Sequence, residues 1–337
     1  MKKEADFLTG ITTSGTPHLG NYTGAIRPAV ENSKNQKLKS YFFLADYHSL
    51  VKNHNPAQRK QSTLEIAAAW ISLGLDYNNC VFYRQSDIPE ILELAWILTC
   101  LTSKGLMNRA HAYKAAKEHN IKEKYNDPDK GINMGLFAYP ILMAADILMF
   151  NAKKIPVGKD QIQHLEMTRD IAIKFNHTYK DLFVLPQFVV DESSAVLQGL
   201  DGRKMSKSYN NYIPLFDTQK RLRKQIMRIT TNSLGPNEPK DPETCTLFGI
   251  YKAFAKPSQT IKLKKRYEQG IAWGQMKQEL FEYIDDILKN PRKKYNDLIK
   301  NPEDIELILK NGAIKARQYA SCFLEKIKDA VGISSLE

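Results

Sequence analysis

The stretch DFLTGITTSGTPHLGNYTGAI, residues 6–26, predicts a strand, a loop and the start of a helix. Residues 6–11 form the strand, and a helical pattern begins near Gly20 and Asn21. Gly15 and Gly20 permit close approach of the backbone, and the amides at the helix start would present partial positive charge to a phosphate. The same stretch also fits an ordinary strand-to-helix turn with a capping role, so both interpretations stay open at this point.

Two more strands follow, with a helical pattern over residues 56–73 between them. Residues 40–46 (SYFFLAD) are continuously apolar up to the last position, which is typical of a parallel sheet covered on both faces. Residues 80–84 (CVFYR) form the third strand. This order predicts a Rossmann-like, doubly wound parallel α/β sheet, in which ligands bind at the carboxyl ends of the strands.

The remaining sequence divides into two parts. Up to residue 212 it predicts a mostly helical segment at 89–116, an exposed polar loop at 117–130, a helix at 139–150, a short strand at 154–157 and a helix at 160–175. Later it predicts helices at 220–227, 251–254, 275–288 and 305–327, with no convincing strand. We therefore expect an α/β domain at residues 1–212 and an all-helical domain at residues 213–337.

The composition is that of a globular protein with a polyanionic partner. The chain has 337 residues, of which 42% are hydrophobic and 26% charged, and this excludes a disordered chain, a collagen-like fibre and a disulfide scaffold. Its net charge of +12 favours a partner such as a nucleic acid or an acidic membrane surface. Residues 213–337 hold 23 basic and 16 acidic residues, so this part is the better candidate to bind a polyanion.

Metal and membrane sites are not expected. The cysteines form no CxxC pair and are irregularly spaced, which argues against a zinc site and a secreted disulfide framework. They are Cys80, Cys100, Cys245 and Cys322. The N-terminus lacks a long apolar segment, and residues 132–152 contain the charge of Asp146 near their middle, so we interpret them as a loop and a buried helix. We expect a cytoplasmic protein.

A second motif, GRKMSKS, occupies residues 202–208. Lys204 and Lys207 bracket a Met-Ser pair, and two ammonium groups three residues apart on a loop can clamp a pyrophosphate as charge develops on it in a transition state. Any short basic run also fits a solvated loop.

These two motifs together carry a family resemblance. PHLGN resembles the HIGH signature of class I aminoacyl-tRNA synthetases, and KMSKS is the second signature of that class. The two stand in the right order, about 190 residues apart, which is more specific than either alone. The segments ADYHSL, AYPILMAADILMFNAKKIPVGKDQIQHLEMTRDIA and GLDGRKMSKSYNN resemble the bacterial tryptophanyl-tRNA synthetases, strongly over residues 6–212.

The resemblance implies a class I catalytic domain followed by a helical anticodon-binding domain, and it assigns the site residues. The catalytic residues would be His18, Lys204 and Lys207. The ATP site would include Thr12, Thr13, Ser14, Gly20, Asn21, Gly158, Lys159, Asp160, Val196, Leu197, Lys204, Met205, Ser206, Lys207 and Ser208. The tryptophan site would include Asp146, Tyr139, Met143, His48, Gln161, Ile155 and Val157. Many members of the family have Gln and Pro at the positions of Thr12 and Thr13. Thr12 is therefore a weaker candidate for a ligand contact than the other residues of this loop.

Asp146 lies in the apolar run LMAADILM on a predicted helix. An ionised carboxylate there is costly unless a group donates to it. Indole has one N–H donor and no acceptor, so an apolar pocket with one acceptor suits tryptophan, and it would also suit a phenol. A buried ion pair or a cap is the competing interpretation.

The resemblance implies a reaction and its partners. Tryptophan would react with ATP, bound with Mg²⁺, to give tryptophanyl-adenylate and pyrophosphate, and the tryptophan would then pass to tRNA(Trp). A homodimer is implied, with its interface in residues 85–140, and neither a membrane nor DNA is expected as a partner.

Three alternatives stay open. Tyrosyl-tRNA synthetase shares both signatures, although the AADIL run argues against it. A small-molecule adenylyltransferase would share the first loop but would need neither KMSKS nor a basic helical domain. A non-catalytic tRNA-binding paralogue would tend to lose catalytic residues, whereas both signatures are whole here.

Overall fold

A parallel sheet forms the centre of the protein, which we describe from a computed structural model that covers residues 5–158, 161–189 and 197–336. The strands are β1 (Phe7–Thr12), β2 (Ser40–Ala45), β3 (Val81–Arg84), β4 (Lys154–Pro156) and β5 (Gln187–Val189). They pair in the order β3-β2-β1-β4-β5, and every pair is parallel. The expected Rossmann-like doubly wound sheet is confirmed.

Helices cover the sheet and make up the C-terminal region. Those before β4 are α1 (Leu19–Asn21), α2 (Arg27–Ser33), α3 (Asp46–Ser49), α4 (Pro56–Ser72), α5 (Pro89–Leu101), α6 (Lys104–Met107), α7 (His111–Lys122) and α8 (Met134–Leu148). Those after it are α9 (Ile162–Thr178), α10 (Gln219–Met227), α11 (Thr246–Phe254), α12 (Pro257–Gln269), α13 (Trp273–Lys300) and α14 (Pro302–Val331). A π-helical turn, Tyr22–Ile26, joins α1 to α2, and short 3₁₀ turns occupy Gln85–Asp87 and Lys207–Tyr209.

The sequence explains the central elements directly. All six residues of β2 are buried, as expected for a strand covered on both faces. Asn55 caps α4, because its side chain accepts a hydrogen bond from the Gln58 N–H at 3.0 Å, and Pro56 occupies the first helical position. Local signals therefore start and end these elements, and burial against the sheet stabilises them.

The order of the strands decides where a ligand can bind. From β1, the next strands in the chain, β2 and β3, are added on one side of the sheet, and β4 and β5 are added on the other side. The order of the strands therefore reverses between β1 and β4. At such a switch point the loops after the two strands diverge and leave a crevice at their carboxyl ends. The loop after β1 and the segment after β4 both open at this crevice.

The C-terminal helices pack back on the α/β part. One apolar cluster joins Phe42 and Trp70 to Leu280 on α13, and a second joins Tyr83 to Ala316 on α14. Two ion pairs also bind α14, Arg84 with Glu306 at 3.0 Å and Arg317 with Glu90 at 2.9 Å. The apolar clusters thus cross residue 213, and the division into domains at that residue stays a prediction.

Several sequence-based boundaries were wrong. The polar stretch 117–130 was expected to be a loop, but α7 continues to Lys122 because its alanines and lysines are good helix formers. Helix α8 begins at Met134, with Pro140 inside it, because the Asn133 side chain accepts from the Leu136 N–H at 2.8 Å and caps an earlier start. Neither β5 nor α12 was expected.

Two searches of the described residues concern membranes and metals. No helix among them is long and apolar enough to cross a membrane. The same residues contain no group of three or more His, Cys, Asp or Glu side chains placed to ligate a metal ion.

A glycine sets the contact between α14 and the sheet. A Cβ at Gly312 would overlap the carbonyl oxygen of Phe82 on β3, whereas a Cβ at Gly249 on α11 would meet open space. We expect Gly312→Ala to lower the free energy of unfolding by about 1–3 kcal/mol, because backbone must move to admit the methyl group. Gly249→Ala should raise it by about 0.5–1 kcal/mol. Urea unfolding of both variants checks this, and a Gly312→Ala protein as stable as wild type would contradict it.

Candidate active site

The loop after β1 is shaped by a glycine and by burial. Gly15 has a φ of +70°, which L side chains rarely adopt, and its N–H donates to Ser62 Oγ at 2.8 Å. Thr13 is fully buried, while Thr12 and Ser14 are exposed. The loop therefore presents Thr12 and Ser14 at the crevice.

His18 caps the helix that follows this loop. Its Nδ1 accepts from the Asn21 N–H at 3.3 Å, and the Asn21 side-chain oxygen accepts from the His18 N–H at 3.0 Å. Burial, and then the charge of Lys207, lower the pKa of His18 to about 4. The ring is therefore neutral near pH 7, and because Nδ1 is an acceptor its proton lies on Nε2. Nε2–H is thus available as a donor.

The loop that carries Lys204 and Lys207 is held by Asn211. The side chain of Asn211 donates to Asp201 Oδ1 at 2.7 Å and accepts from the Ser206 N–H at 2.8 Å. Met205 is buried. The two lysines are thereby presented from a fixed turn.

The two signature loops, both assigned to the ATP site by the resemblance, contact each other in the structure. Lys207 Nζ donates to the carbonyl oxygen of Ser14. Backbone bonds join the flanking segments, from the Leu19 N–H to Ile213 O at 3.0 Å and from the Leu215 N–H to Pro17 O at 2.9 Å. Burial lowers the pKa of Lys207 to about 8. The meeting point therefore holds a desolvated ammonium group beside the β1 loop.

The other residues assigned to ATP fall into three groups. Gly158 is exposed directly after β4, and its carbonyl oxygen accepts from the Gln161 N–H at 2.9 Å. The side chain of Leu197 is buried, so its backbone is the part that can face a ligand. Lys159, Asp160 and Val196 lie outside the described residues. The ATP contacts of all five residues stay predictions.

Among the residues predicted to bind tryptophan, Asp146 lies on α8 with 1% of its surface exposed. His48 Nε2 lies 2.9 Å from its Oδ2, and Gln85 Nε2 donates to its two oxygens at 2.8 and 3.0 Å. Burial raises the pKa of the Asp146 carboxyl, and the hydrogen bonds from His48 and Gln85 act in the opposite direction. A buried acceptor with two neighbouring donors is the result.

Of the other side chains predicted to bind tryptophan, His48 contacts Asp146 and Tyr139 lies next to His48. The rings of Tyr139 and His48 lie 6.2 Å apart, and Tyr139 Oη is 2.6 Å from His164 Nε2. His164 Nδ1 is in turn 3.0 Å from Gln161 Oε1. Met143, Ile155 and Val157 belong to the apolar cluster on this side of the sheet. Tryptophan contacts by these residues stay predictions.

Sequence reasoning missed Gln85 and gave His164 no part in the site. Gln85 is fully buried in the turn after β3, and His164 is buried between Tyr139 and Gln161. The signal for Gln85 was its position directly after a strand, at the edge where ligands bind.

A doubly wound parallel sheet with a HIGH-like loop at its switch point, closed by a KMSKS loop, defines the catalytic part of a class I aminoacyl-tRNA synthetase. A family profile described as tRNA synthetases class I (W and Y) matches residues 1–289. The tryptophan–tRNA ligase of Neisseria meningitidis is 55% identical over 330 residues, which are 98% of each chain. That of Pseudomonas putida is 56% identical over 97% of this chain and 74% of its own.

A solved structure agrees with these relatives. Tryptophanyl-tRNA synthetase from Campylobacter jejuni, complexed with ADP and tryptophan, superposes with a TM-score of 0.85 at 43% identity, covering 97% of this chain and 99% of its own. The chain belongs to the class I tRNA synthetases, in the family of bacterial tryptophan–tRNA ligases.

The lowered pKa of Lys207 predicts a pH dependence. The ammonium group is present below about pH 8 and is lost above it. We expect kcat/KM for ATP to fall above that pH by about tenfold per pH unit. In Lys207→Arg the guanidinium stays charged, so the decline should disappear even if the plateau is lower. Pyrophosphate exchange at saturating tryptophan, from pH 7 to 9.5, measures this; an unchanged decline in the variant would show that another group titrates.

Proposed function

We infer that this chain is a tryptophan–tRNA ligase, which activates tryptophan with ATP and then esterifies tRNA(Trp). The observation that carries the inference is the pairing of two charged regions at one sheet edge. The buried carboxylate of Asp146 contacts His48 on α3, just after β2, and the partly buried ammonium group of Lys207 lies against the loop after β1. The first suits an N–H donor in an apolar side chain, and the second suits a phosphate.

In the first step we propose that the tryptophan carboxylate attacks the α-phosphate of Mg-ATP and that pyrophosphate leaves. No side chain need act as a nucleophile, because alignment and charge stabilisation lower the barrier. Lys204 and Lys207 would balance the charge that grows on the leaving group. His18 would donate Nε2–H to a phosphate oxygen, since its Nδ1 is occupied by Asn21. The ADP and tryptophan of the Campylobacter jejuni complex support this pair of substrates.

Asp146 supplies the selectivity for tryptophan in this proposal. A carboxylate offers about four acceptor positions, of which His48 and Gln85 use part. The indole N–H would take a free one. Phenylalanine has no donor and would leave the buried acceptor without that partner, so the site should reject it strongly. Tyrosine has a donor, and here the high identity to tryptophan–tRNA ligases favours tryptophan.

The helical region is our candidate for the tRNA contact. Helix α10 exposes four basic side chains, and α13 and α14 attach the region to the sheet. The four are Lys220, Arg221, Arg223 and Lys224. Such a surface neutralises phosphates and releases counterions, so binding should weaken as salt rises. We propose that this region binds tRNA(Trp) and presents its 3′-terminal adenosine to the adenylate.

We further propose a homodimer with its interface in residues 85–140. Large apolar side chains are exposed there, including Leu92 at 40%, Trp96 at 69%, Ile121 at 55% and Met134 at 73%. Apolar surface of this kind is typical of a protein contact, and aromatic residues commonly dominate such contacts.

The activity is tested by exchange of labelled pyrophosphate into ATP with each of the twenty amino acids. We expect exchange with tryptophan alone. Asp146→Ala should lower kcat/KM for tryptophan by roughly a hundredfold or more, because the indole N–H loses its buried acceptor. Asp170→Ala, which changes an exposed aspartate on α9, is the control and should leave exchange unchanged.

Two results of that experiment would contradict the proposal. Exchange with tyrosine alone would keep the class of enzyme and change the substrate. Binding of tRNA without exchange for any amino acid would identify a non-catalytic paralogue.

The dimer is tested by sedimentation equilibrium. We expect wild type to sediment at about twice the chain mass, and Trp96→Glu to weaken the dimer by at least about tenfold, because it places a charge in an apolar contact. Ile261→Glu makes the same kind of change at a side chain on α12 that is 59% exposed, and should have no effect. A monomeric wild type, or a Trp96→Glu protein that dimerises normally, would overturn the proposed interface.

A further inference from the structure

Among the residues that the structure describes, Gln85 is the one side chain that donates to both oxygens of Asp146. It lies in the turn Gln85–Asp87 after β3 and is fully buried. Its Nε2 donates to Oδ1 at 2.8 Å and to Oδ2 at 3.0 Å, while His48 contacts Oδ2 alone. The Gln85 contacts to both oxygens and the His48 contact to Oδ2 alone together restrain the orientation of the carboxylate.

The orientation of the Gln85 amide is itself determined by the backbone. Its Oε1 accepts from the Tyr47 N–H at 3.1 Å, so Nε2 must point to Asp146. The reversed amide would place an oxygen against the carboxylate and an NH₂ group against an N–H donor, and both contacts would be repulsive. The direction of the donor is thus fixed without any ligand.

The turn that carries Gln85 is held from two sides. Asp46 Oδ1 accepts from the Ser86 N–H at 3.0 Å, which ties the turn to the end of β2. Arg84 binds Asp87 at 2.8 Å within the turn and Glu306 at 3.0 Å on α14. These bonds restrain the backbone on either side of Gln85, so its amide is presented from a rigid support.

We propose that Gln85 is a positioning residue that sets tryptophan selectivity, by turning the Asp146 carboxylate so that an unused acceptor site faces the indole N–H. This deepens the proposed function and rests on it. Gln85 acts through Asp146 and is not required to touch the substrate. Gln85 is a neutral donor that stabilises the ionised carboxylate. An arginine or lysine in its place would add a fixed positive charge, and its donors would compete with the substrate N–H for the carboxylate.

The charged and titratable groups that face Asp146 are few among the described residues. His48 bonds to it from α3, Asp46 at the start of α3 raises its pKa, and the buried Tyr83 on β3 has its own pKa raised by burial and then by Asp146. Removing the Gln85 donor should raise the pKa of Asp146 further, because one of the bonds to its ionised form is lost.

The first variant is Gln85→Met, which keeps the length of the side chain and removes the donor. The Tyr47 N–H keeps a partner, since Asp46 Oδ1 also accepts from it at 3.2 Å. The readout is the ratio of kcat/KM for tryptophan to that for the isostere with sulfur in place of the indole N–H, in pyrophosphate exchange at saturating ATP. We expect this ratio to fall at least about tenfold, with KM for ATP within about twofold of wild type.

The pH profile separates positioning from mere structural support. The ionised Asp146 is the competent acceptor, so activity is lost as the pH falls through its pKa. In Gln85→Met this acid limb of kcat/KM for tryptophan should move to higher pH. In Gln85→Glu the protonated carboxyl can donate as the amide does, so activity relative to wild type should persist at low pH and fall at high pH, where two buried carboxylates repel each other.

A matched control exists on α13. Gln278, which is partly exposed, accepts from Arg223 Nε at 3.0 Å and donates to one oxygen of Glu282 at 2.7 Å, so it too links a donor to a carboxylate, but outside the site. Gln278→Glu should leave the ratio and the pH profile unchanged. If both Gln85 variants kept the wild-type selectivity ratio and the wild-type pH profile of kcat/KM, this proposal would be overturned and the proposed function would stand. A uniform loss of activity, with the selectivity ratio and the pH profile unchanged, would have the same meaning. Absence of tryptophan-dependent exchange in wild type would overturn the proposed function and this proposal with it.

Discussion

A carboxylate buried in an apolar interior is the constraint around which the tryptophan side of the molecule is arranged. Desolvation of an unpaired carboxylate costs several kcal/mol, so Asp146 requires donors that arrive from other elements. They come from the ends of two strands, His48 after β2 and Gln85 after β3. A parallel sheet brings those ends to one edge, and α8 supplies the acceptor between them. The topology of the sheet and the chemistry of the pocket therefore depend on each other.

In the loops predicted to bind ATP, burial acts on basic groups instead. Burial lowers the pKa of both His18 and Lys207, so the positively charged form of each is less favoured here than in water. A bound phosphate would restore the full charge of Lys207 where that charge is useful. The two parts of the candidate site thus carry an electrostatic cost, for a buried acid at Asp146 and for buried bases at His18 and Lys207, and each proposed ligand would relieve its own part of that cost.

The sequence predicted the elements that have a clear local residue pattern, and missed those that depend on contacts with residues distant in sequence. Strand β2 is a continuous apolar run, and its position was correct within one residue. Strand β5 is three exposed residues at a sheet edge, with no pattern of its own. Helix α13 continues through Pro291 to Lys300, well beyond the predicted end at residue 288, because packing against α4 and α10 overrides the local signal. Within the candidate site, the two signature loops and Asp146 could be singled out in the sequence by their residue types and by the family resemblance, whereas Gln85 is recognised only through its hydrogen bond to a residue 61 positions away.

The place of α14 in the fold has a consequence for how the chain is made. This helix covers β3, and its Gly312 fits against the Phe82 backbone, yet it is synthesised after all five strands. Until it emerges, the apolar face that includes Tyr83 has no cover from that side, and Arg84 has no Glu306 to pair with. Contacts so distant in sequence form slowly, because a long loop must close first. A sheet formed before α14 is synthesised would therefore have an open flank at β3, and α14 is the helix that covers it in the folded protein.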